Sequence, residues 1–568
     1  MPANPANSSF PMPPMRFDLW GTRDEAKPLS PSITKLLSRV MGVDTDRDNT
    51  VEADRIVLSE SRLGEAAKAA LGKIVGEAKL TQDRDQRMAR ARGKSSLDLL
   101  EWRAGEEISA PDAVLAPGSE EEILAILEYC SDNRIAVVPF GGGTSVVGGI
   151  NPARGEFDAV VSLDLRRFDA IEDVDPVSGL ATLGAGLSGP HAEMLLADRG
   201  LQLGHFPQSF PYATIGGFAV TRSAGQNSAG YGRFDDMVRE LTIVTPRGVF
   251  HPGKQSPASA AGPDLKEIVM GSEGTFGVVT RVRVHVHPIP QVKRYEAFVF
   301  PSFAEGANAL REVEQQGTGP TVIRLSDEIE SAINLTSSDA IGESSQAPQG
   351  CLCITVFEGT FEHAASRHEE TRNLILANGG VSAGEAPARK WEEGRFGAPV
   401  LRDSLLDAGA LCETLETATD WSNVPRLKAA VGDALATALN DSGTMVLVMC
   451  HISHVYATGC SLYFTIVAAQ DDNPLEQWRA AKKKVSQAIE ANGGTITHHH
   501  AVGTDHMPYM TDEIEPLGVE LLRGIKRTLD PAGILNPGKL LPAGSGKCAS
   551  ASGESGTGQA GTSGSSAR

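Results

Sequence analysis

Three consecutive histidines, His498-His499-His500, follow Thr495-Ile496-Thr497 and the glycine stop Gly493-Gly494. Imidazole titrates near neutrality, which suits abstraction and return of a proton. The residues before the triplet predict that it continues a strand. Alternation then puts His498 and His500 on one face and His499 on the other, so all three cannot address one substrate equally. A metal would need more ligands, with Asp505 and His506 the nearest, and a structural triplet is a competing reading; no metal is expected. Tyr463, in the alternating run Ser461-Leu462-Tyr463-Phe464-Thr465, reads plainly as a core tyrosine with a satisfied hydroxyl. Arg324, inside Val322-Ile323-Arg324-Leu325, is a charge among apolar neighbours and wants a partner. Arg402 alone reads as a solvated helix charge, although a guanidinium fork suits phosphate.

The second kind of chemistry lies in glycine. Pro139 to Ile150 reads PFGGGTSVVGGI directly behind the apolar run Ile135-Ala136-Val137-Val138. Glycine tolerates positive φ, so successive N–H groups can turn toward one anion, a pyrophosphate being the usual guest. Gly148, Gly149 and Pro152 follow too closely for a helix to open there, unlike the G-x-G-x-x-G dinucleotide fingerprint. Further clusters stand at Thr214-Ile215-Gly216-Gly217, with Thr221, Ser223 and Gly225, and at Glu273-Gly274 with Gly277. Three clusters within roughly 140 residues, each beside a strand, suggest backbone closing on one long ligand.

The elements that must position these groups are legible. Ser119 to Glu122 caps a helix running to Ser131. Strands are predicted from Ile135, over Asp158–Leu165 and Gly179–Gly184, then a helix Gly189–Gly200. A hairpin follows around Thr245-Pro246-Arg247-Gly248, and a strand over Val278–Val286. Beyond Pro288-Ile289-Pro290 strands are expected near 295–300, 321–326, 351–357, 444–450 and 460–468, with helices between. Leu374–Gly380 and Ala488–Gly494 resemble each other as helix ends, each with a strand-like stretch after it, suggesting two αβ halves of one mixed-sheet unit.

Composition narrows the function. The 568 residues imply more than one domain, and 41% apolar content is ordinary. A formal charge of −20 argues against a nucleic-acid partner. The seven cysteines (130, 351, 353, 412, 450, 460 and 548) form no CxxC pair and read as reduced thiols, with Cys351-Leu352-Cys353 fitting a strand. The proline-rich start lacks the features of a leader, Ser566-Ala567-Arg568 is not the peroxisomal tripeptide, and no apolar run spans a membrane. The expected place is the cytoplasm. The Gly/Ser-rich chain from Gly544 reads as a disordered tail.

PFGGGTSV, ATIGGFAVTRSAGQNSAGYGRFDDMV, TPRG and GSEGTFGVVT together resemble the FAD-binding domain of the vanillyl-alcohol oxidase superfamily. Within it the resemblance is to the alkyldihydroxyacetonephosphate (alkylglycerone-phosphate) synthase family. It runs from about Trp20 to Leu541 and includes VIRLSD, Leu401-Arg402-Asp403, the Tyr456–Phe464 stretch and HHHAVG. It implies an α+β fold: a helical N-terminal segment (1–105), a two-part, PCMH-type FAD-binding domain (106–290), a mixed-sheet cap (291–495), and a segment returning to the FAD site (496–543), ahead of the tail (544–568). Pro139, Gly141, Gly142, Gly143, Thr144 and Ser145 would take the pyrophosphate. Thr214, Gly216, Gly217, Thr221, Ser223 and Gly225 would lie along the ribityl–isoalloxazine side. Glu273, Gly274, Gly277 and Val278 would approach the adenosine half. No histidine stands in the first glycine loop, so dissociable FAD is expected.

The resemblance further implies exchange of the acyl group of an acyl-dihydroxyacetone phosphate for a fatty alcohol, through a flavin N5 adduct and without net redox. His498 or His500 would transfer the proton, with His499 beside them, and Tyr463 would relay it. Arg402 would hold the phosphate, and Arg324 would support the site. A homodimer and peripheral membrane contact go with it. The ending Leu529 to Lys539, with Asn536-Pro537-Gly538-Lys539, instead looks like flavin-dependent 2-hydroxy-acid dehydrogenases of the D-lactate or glycolate type, the competing reading.

Overall fold

The computed structural model describes residues 12–26, 28–45, 49–253, 256–335, 350–440 and 445–542. The expected tail lies outside them, as do most of the proline-rich start and Cys548.

The apolar run behind the first glycine loop is the strand Ile135–Phe140, which pairs in parallel with Ala159–Asp164, itself parallel to Ala113–Leu115. The helix Glu120–Asp132 starts where Ser119 accepts from the Glu122 N–H. The Glu122 carboxylate accepts from the Gly118 N–H, one residue before the position of a capping box. A second sheet is antiparallel, in the order Ile171–Asp175, Leu180–Gly184, Val278–His285, Val238–Thr245, Gly248–Phe250. Its last pair is the predicted hairpin.

The third sheet has seven strands, in the order Val381–Gly384, Val292–Phe300, Cys351–Gly359, Val322–Ser326, Leu447–Ile452, Gly459–Ala469, Ala410–Asp420. All its pairings are antiparallel, so the α/β alternation that suggested a mixed sheet comes from helices crossing one face. Leu462, Phe464 and Ile466 join the core shared with helices Phe303–Gln316, Val424–Leu439 and Pro474–Ala491. Tyr463 and Thr465, pointing the other way, line a cavity. The strand Ala410–Asp420 was not predicted. The two similar helix ends also diverge, since a strand follows the first but no strand follows the second.

The N-terminal segment carries helices Pro31–Arg39, Glu65–Val75 and Ser96–Ala104. Leu99, Leu100 and Trp102 are fully buried in the core beneath the seven-stranded sheet. After helix Met510–Leu529 the chain returns to the parallel sheet: Val137 donates to Ile534 O and accepts from the Asn536 N–H. Six cysteines are buried and free. Among the described residues no helix is long and apolar enough to cross a membrane.

Candidate functional site

One cavity of about 490 Å3 lies between the glycine clusters and the polar face of the seven-stranded sheet. Along one wall runs the loop from Gly141 to Ser145. Among the described residues, its five backbone N–H groups donate to no protein acceptor. Donors left this way, Gly143 buried and its neighbours half-buried, are free to serve a ligand in the cavity. Gly142 is required by space, since a Cβ there would sit 2.0 Å from Tyr212 O, and Gly143 by its φ of +72°. The loop closes on itself through Ser145 Oγ, which accepts from the Gly149 N–H at 2.9 Å.

The opposite wall is built by register. Tyr463 stands opposite His451 on one neighbouring strand and Glu416 on the other. Its ring stacks on His451 at 4.8 Å and on His499 at 5.9 Å, and His500 meets it edge-on at 5.5 Å. The buried Glu416 carboxylate gathers the histidine segment. Its Oε1 accepts from Thr497 Oγ1 (2.6 Å), His499 N (3.1 Å) and His500 N (2.9 Å), and Oε2 from His498 N (2.5 Å). Three successive peptide N–H groups converging on one carboxylate cannot belong to an alternating strand. The expected two-face arrangement is therefore corrected: His499 and His500 both line the cavity, and His498 lies beneath them, bonded to the Tyr456 hydroxyl and to His499. Further on, Glu273 accepts from the Val502 and Gly503 N–H groups. Ala501, between the two carboxylates, is held at a φ of +73°.

Burial fixes the protonation states of these groups. Burial pulls the pKa of His500 down to about 3 and lowers those of His498 and His499, against the pull of Glu416, so these imidazoles are neutral proton acceptors at pH 7. Burial raises the Tyr463 phenol to about 12, against the Thr414 hydroxyl, so it stays a proton donor. Burial opposes ionisation of Glu416, but the histidines, whenever one carries a proton, and the Thr497 hydroxyl hold it well below the usual carboxylate range. The side chains of His454, His498 and His499 also bring their ring nitrogens within 4.8 Å of one another.

Residues 111–251 match the family model described as the FAD binding domain, and residues 289–540 that of FAD linked oxidases, C-terminal domain. The chain is 33% identical over 481 residues to the alkyldihydroxyacetonephosphate synthase of Dictyostelium discoideum, covering 82% of this chain and 78% of that one. It is 32% identical to that of Trypanosoma brucei brucei, over 83% and 80%. A solved alkyldihydroxyacetonephosphate synthase structure superposes with a TM-score of 0.81 at 27% identity, covering 93% of this chain and 99% of the other. The chain belongs to the alkyldihydroxyacetonephosphate synthase family. It is an FAD-dependent enzyme, and the partnerless N–H groups of the Gly141 loop are the donor set a pyrophosphate needs.

In this family member the structure brings most of the sequence-predicted residues to the cavity wall, but not His498, Gly225 or Val278. Val278 is fully buried in the core under the parallel sheet, on the opposite side of its strand from Val279. Gly225 lies against Phe206 N and the His205 ring. Glu273 reaches the wall, but its carboxylate is spent on Val502 and Gly503 rather than offered to an adenosine. Burial pushes it up to about 7 against those bonds. Arg324 has the partner its context demanded: it donates to Glu330 Oε1 at 2.6 Å and bonds His451 at 2.9 Å. Arg402 is no solvated charge; it pairs with Asp403 at 2.8 Å and donates to Lys94 O. Sequence reasoning missed Glu416, Glu330, His451, His454, Tyr456 and Arg395. The buried pattern Cys450-His451-Ile452-Ser453-His454 was a usable signal, because histidines inside an apolar strand need polar partners.

Proposed function

We propose that the enzyme exchanges the acyl group of an acyl-dihydroxyacetone phosphate for a long-chain alcohol, forming an ether without net redox. The observation that carries this reading is the pairing of neutral His499 and His500 with a protonated Tyr463, on a cavity whose far wall is the FAD loop. His500, with His499 beside it, takes a proton from the carbon bearing the ester, and Tyr463 relays it. Both imidazoles are aimed by Glu416, and His498 supports them from below. Arg402 faces the phosphate while Asp403 keeps it oriented, and Arg324 with Glu330 holds His451 against Tyr463. When bound, FAD supplies covalent catalysis at its N5, splitting one difficult displacement in two. The ester oxygen leaves the headgroup carbon with the bonding pair, as a carboxylate. The alcohol oxygen takes its place and gives up its proton to solvent through Tyr463, and the histidine returns the abstracted proton to the headgroup carbon, so protons and electrons balance without an acceptor. The Gly141–Ser145 loop, lacking histidine, holds the cofactor without a covalent bond.

The test is anaerobic incubation of holoenzyme with palmitoyl-dihydroxyacetone phosphate and hexadecanol, reading ether product by mass. Ether product supports the reading. No ether, with flavin bleaching on D-lactate or glycolate that an electron acceptor reverses, overturns it in favour of a 2-hydroxy-acid dehydrogenase.

A further inference from the structure

Three guanidinium groups line the cavity, and two are neutralised by carboxylates: Arg324 by Glu330 and Arg402 by Asp403. Arg395 is not. Among the described residues no carboxylate lies within ion-pair distance of it. Its Nε donates to Gln226 Oε1 at 2.5 Å and its Nη2 to Asn227 Oδ1 at 2.7 Å, both neutral amides, and its Nη1 has no acceptor. The amides around it add donors rather than acceptors. Asn227 Nδ2 and Gln208 Nε2 are buried with no partner. Turning Asn227 over would only face its NH2 to the guanidinium. Burial lowers the Arg395 pKa to about 10, against the pull of the more distant Glu392 and Glu358, which still leaves it charged at neutral pH. A partly buried cation bonded only to neutral amides, with Glu392 and Glu358 acting on it from beyond ion-pair distance, has room for an anion of its own.

The rest of its surroundings is apolar. The guanidinium lies over the rings of Trp391 (5.0 Å), Phe206 (5.4 Å) and Phe396 (5.4 Å). Phe210 stacks on Phe396 at 5.5 Å and packs against Phe206 at 4.9 Å. Of these rings Trp391 lines the cavity and the three phenylalanines stand half-buried beside it, while Gly394 and Ala398 on the same segment are exposed, so this end of the cavity is its mouth. An anion bound here must carry a hydrophobic body. A bare phosphate finds no use for the aromatic cluster, whereas a fatty carboxylate uses both parts.

We infer that Arg395, with the amide of Gln208 beside it on the cavity wall and Asn227 behind it, forms a second anion subsite that takes the fatty carboxylate released when the acyl ester breaks. This rests on the lipid reading above. The acyl group departs with both ester oxygens and the bonding pair, so it is an anion as soon as it forms and needs a cation other than the one on the phosphate. Arg395 is then a specificity-determining residue for the acyl half-reaction.

Calorimetric titration of holoenzyme with laurate, and separately with dihydroxyacetone phosphate, tests this in wild type, Arg395→Gln, Arg395→Lys and Asn227→Asp. The glutamine variant is expected to bind laurate about tenfold more weakly or worse, and the lysine variant to recover part of the loss. Asn227→Asp keeps Arg395 but gives it a counter-ion, and is expected to weaken laurate as well. Dihydroxyacetone phosphate affinity and flavin-to-protein ratio should stay within about twofold in all four. Laurate binding indifferent to Arg395 overturns the subsite. So does a loss confined to dihydroxyacetone phosphate, which would make Arg395 the headgroup anchor, or to flavin. Ether formation with Arg395-independent laurate binding fails the subsite alone; Arg395-dependent laurate binding without ether formation fails the reaction alone.

Discussion

Glu416→Gln is the sharpest perturbation of the site, because it changes one atom and leaves the shape. The wild-type carboxylate accepts four donors, three through Oε1 and one through Oε2. A glutamine with its oxygen in place of Oε1 keeps three of them as neutral hydrogen bonds, and its NH2 then faces the His498 N–H, donor against donor. Loss of charge assistance on three bonds costs roughly 1 kcal/mol each, and a buried unpaired N–H roughly 1–3 kcal/mol. The total, roughly 4–6 kcal/mol, exceeds what the local fold can absorb without moving the segment. His499 and His500 should therefore leave their positions on Tyr463, and displacements near 1 Å cost about 100-fold in rate.

The assay is steady-state ether formation by Glu416→Gln and Glu416→Asp, with flavin content measured in parallel. A fall in kcat of about 100-fold or more is expected for the glutamine variant, with flavin content unchanged and KM within a few-fold, because Arg402 and the glycine loop are untouched. Aspartate keeps the charge and should lose less. A glutamine variant with wild-type kcat would falsify the idea that this carboxylate positions the histidines.

Tyr463→Phe should lower kcat by about 100-fold or more while leaving the flavin spectrum intact, since general acid–base groups contribute on that scale; a drop of less than fivefold would return Tyr463 to a packing role. Gly142→Ala drives a Cβ to 2.0 Å from Tyr212 O, so the purified variant should be nearly colourless, judged by its absorbance near 450 nm relative to 280 nm. Full flavin occupancy in that variant would show that the loop does not hold the cofactor as drawn. Burial holds His205, His500 and His506 at about 3 and His287 at about 4, all below their unfolded value of about 6.5. The unfolded chain binds these protons first, so the stability is fully present above about pH 6.5 and is lost as pH falls toward 3–4. Each histidine contributes at most ~1.4 kcal/mol per pH unit. Thermal scans at pH 7.5, 6 and 5 should show a progressive fall in melting temperature, and a flat series would contradict neutral burial.

What was legible in the sequence is what the chain decides locally. The Ser119 cap, the Thr245–Gly248 hairpin turn and the glycine loop each depend on residues within a few positions of one another. The strand Ala410–Asp420 escaped because Glu413, Glu416 and its threonines read as polar surface. Their burial is created by pairing with Gly459–Ala469 and by the histidine segment, about 80 residues away. The alternation expected of His498–His500 failed for the same reason: a distant carboxylate outbid the strand conformation for three peptide N–H groups. Arg395, inside Glu392-Glu393-Gly394-Arg395, carries no local signal of its place, because only the fold sets it on three aromatic rings.

The same logic explains how the two halves of the enzyme share one active site. Of the six peptide N–H groups from His498 to Gly503, three are taken by Glu416 of the seven-stranded sheet. Two are taken by Glu273, which adjoins Gly274 and Gly277 on the opposite wall of the cavity. Ala501, the residue between the two sets, carries the left-handed backbone strain that a non-glycine residue accepts only where its surroundings dictate it. The hexapeptide is thus clamped by one carboxylate from each side of the cavity. Neither half can shift without dragging His499 and His500. The position of these imidazoles relative to the glycine loop is consequently set by two buried carboxylates, one from each side of the cavity.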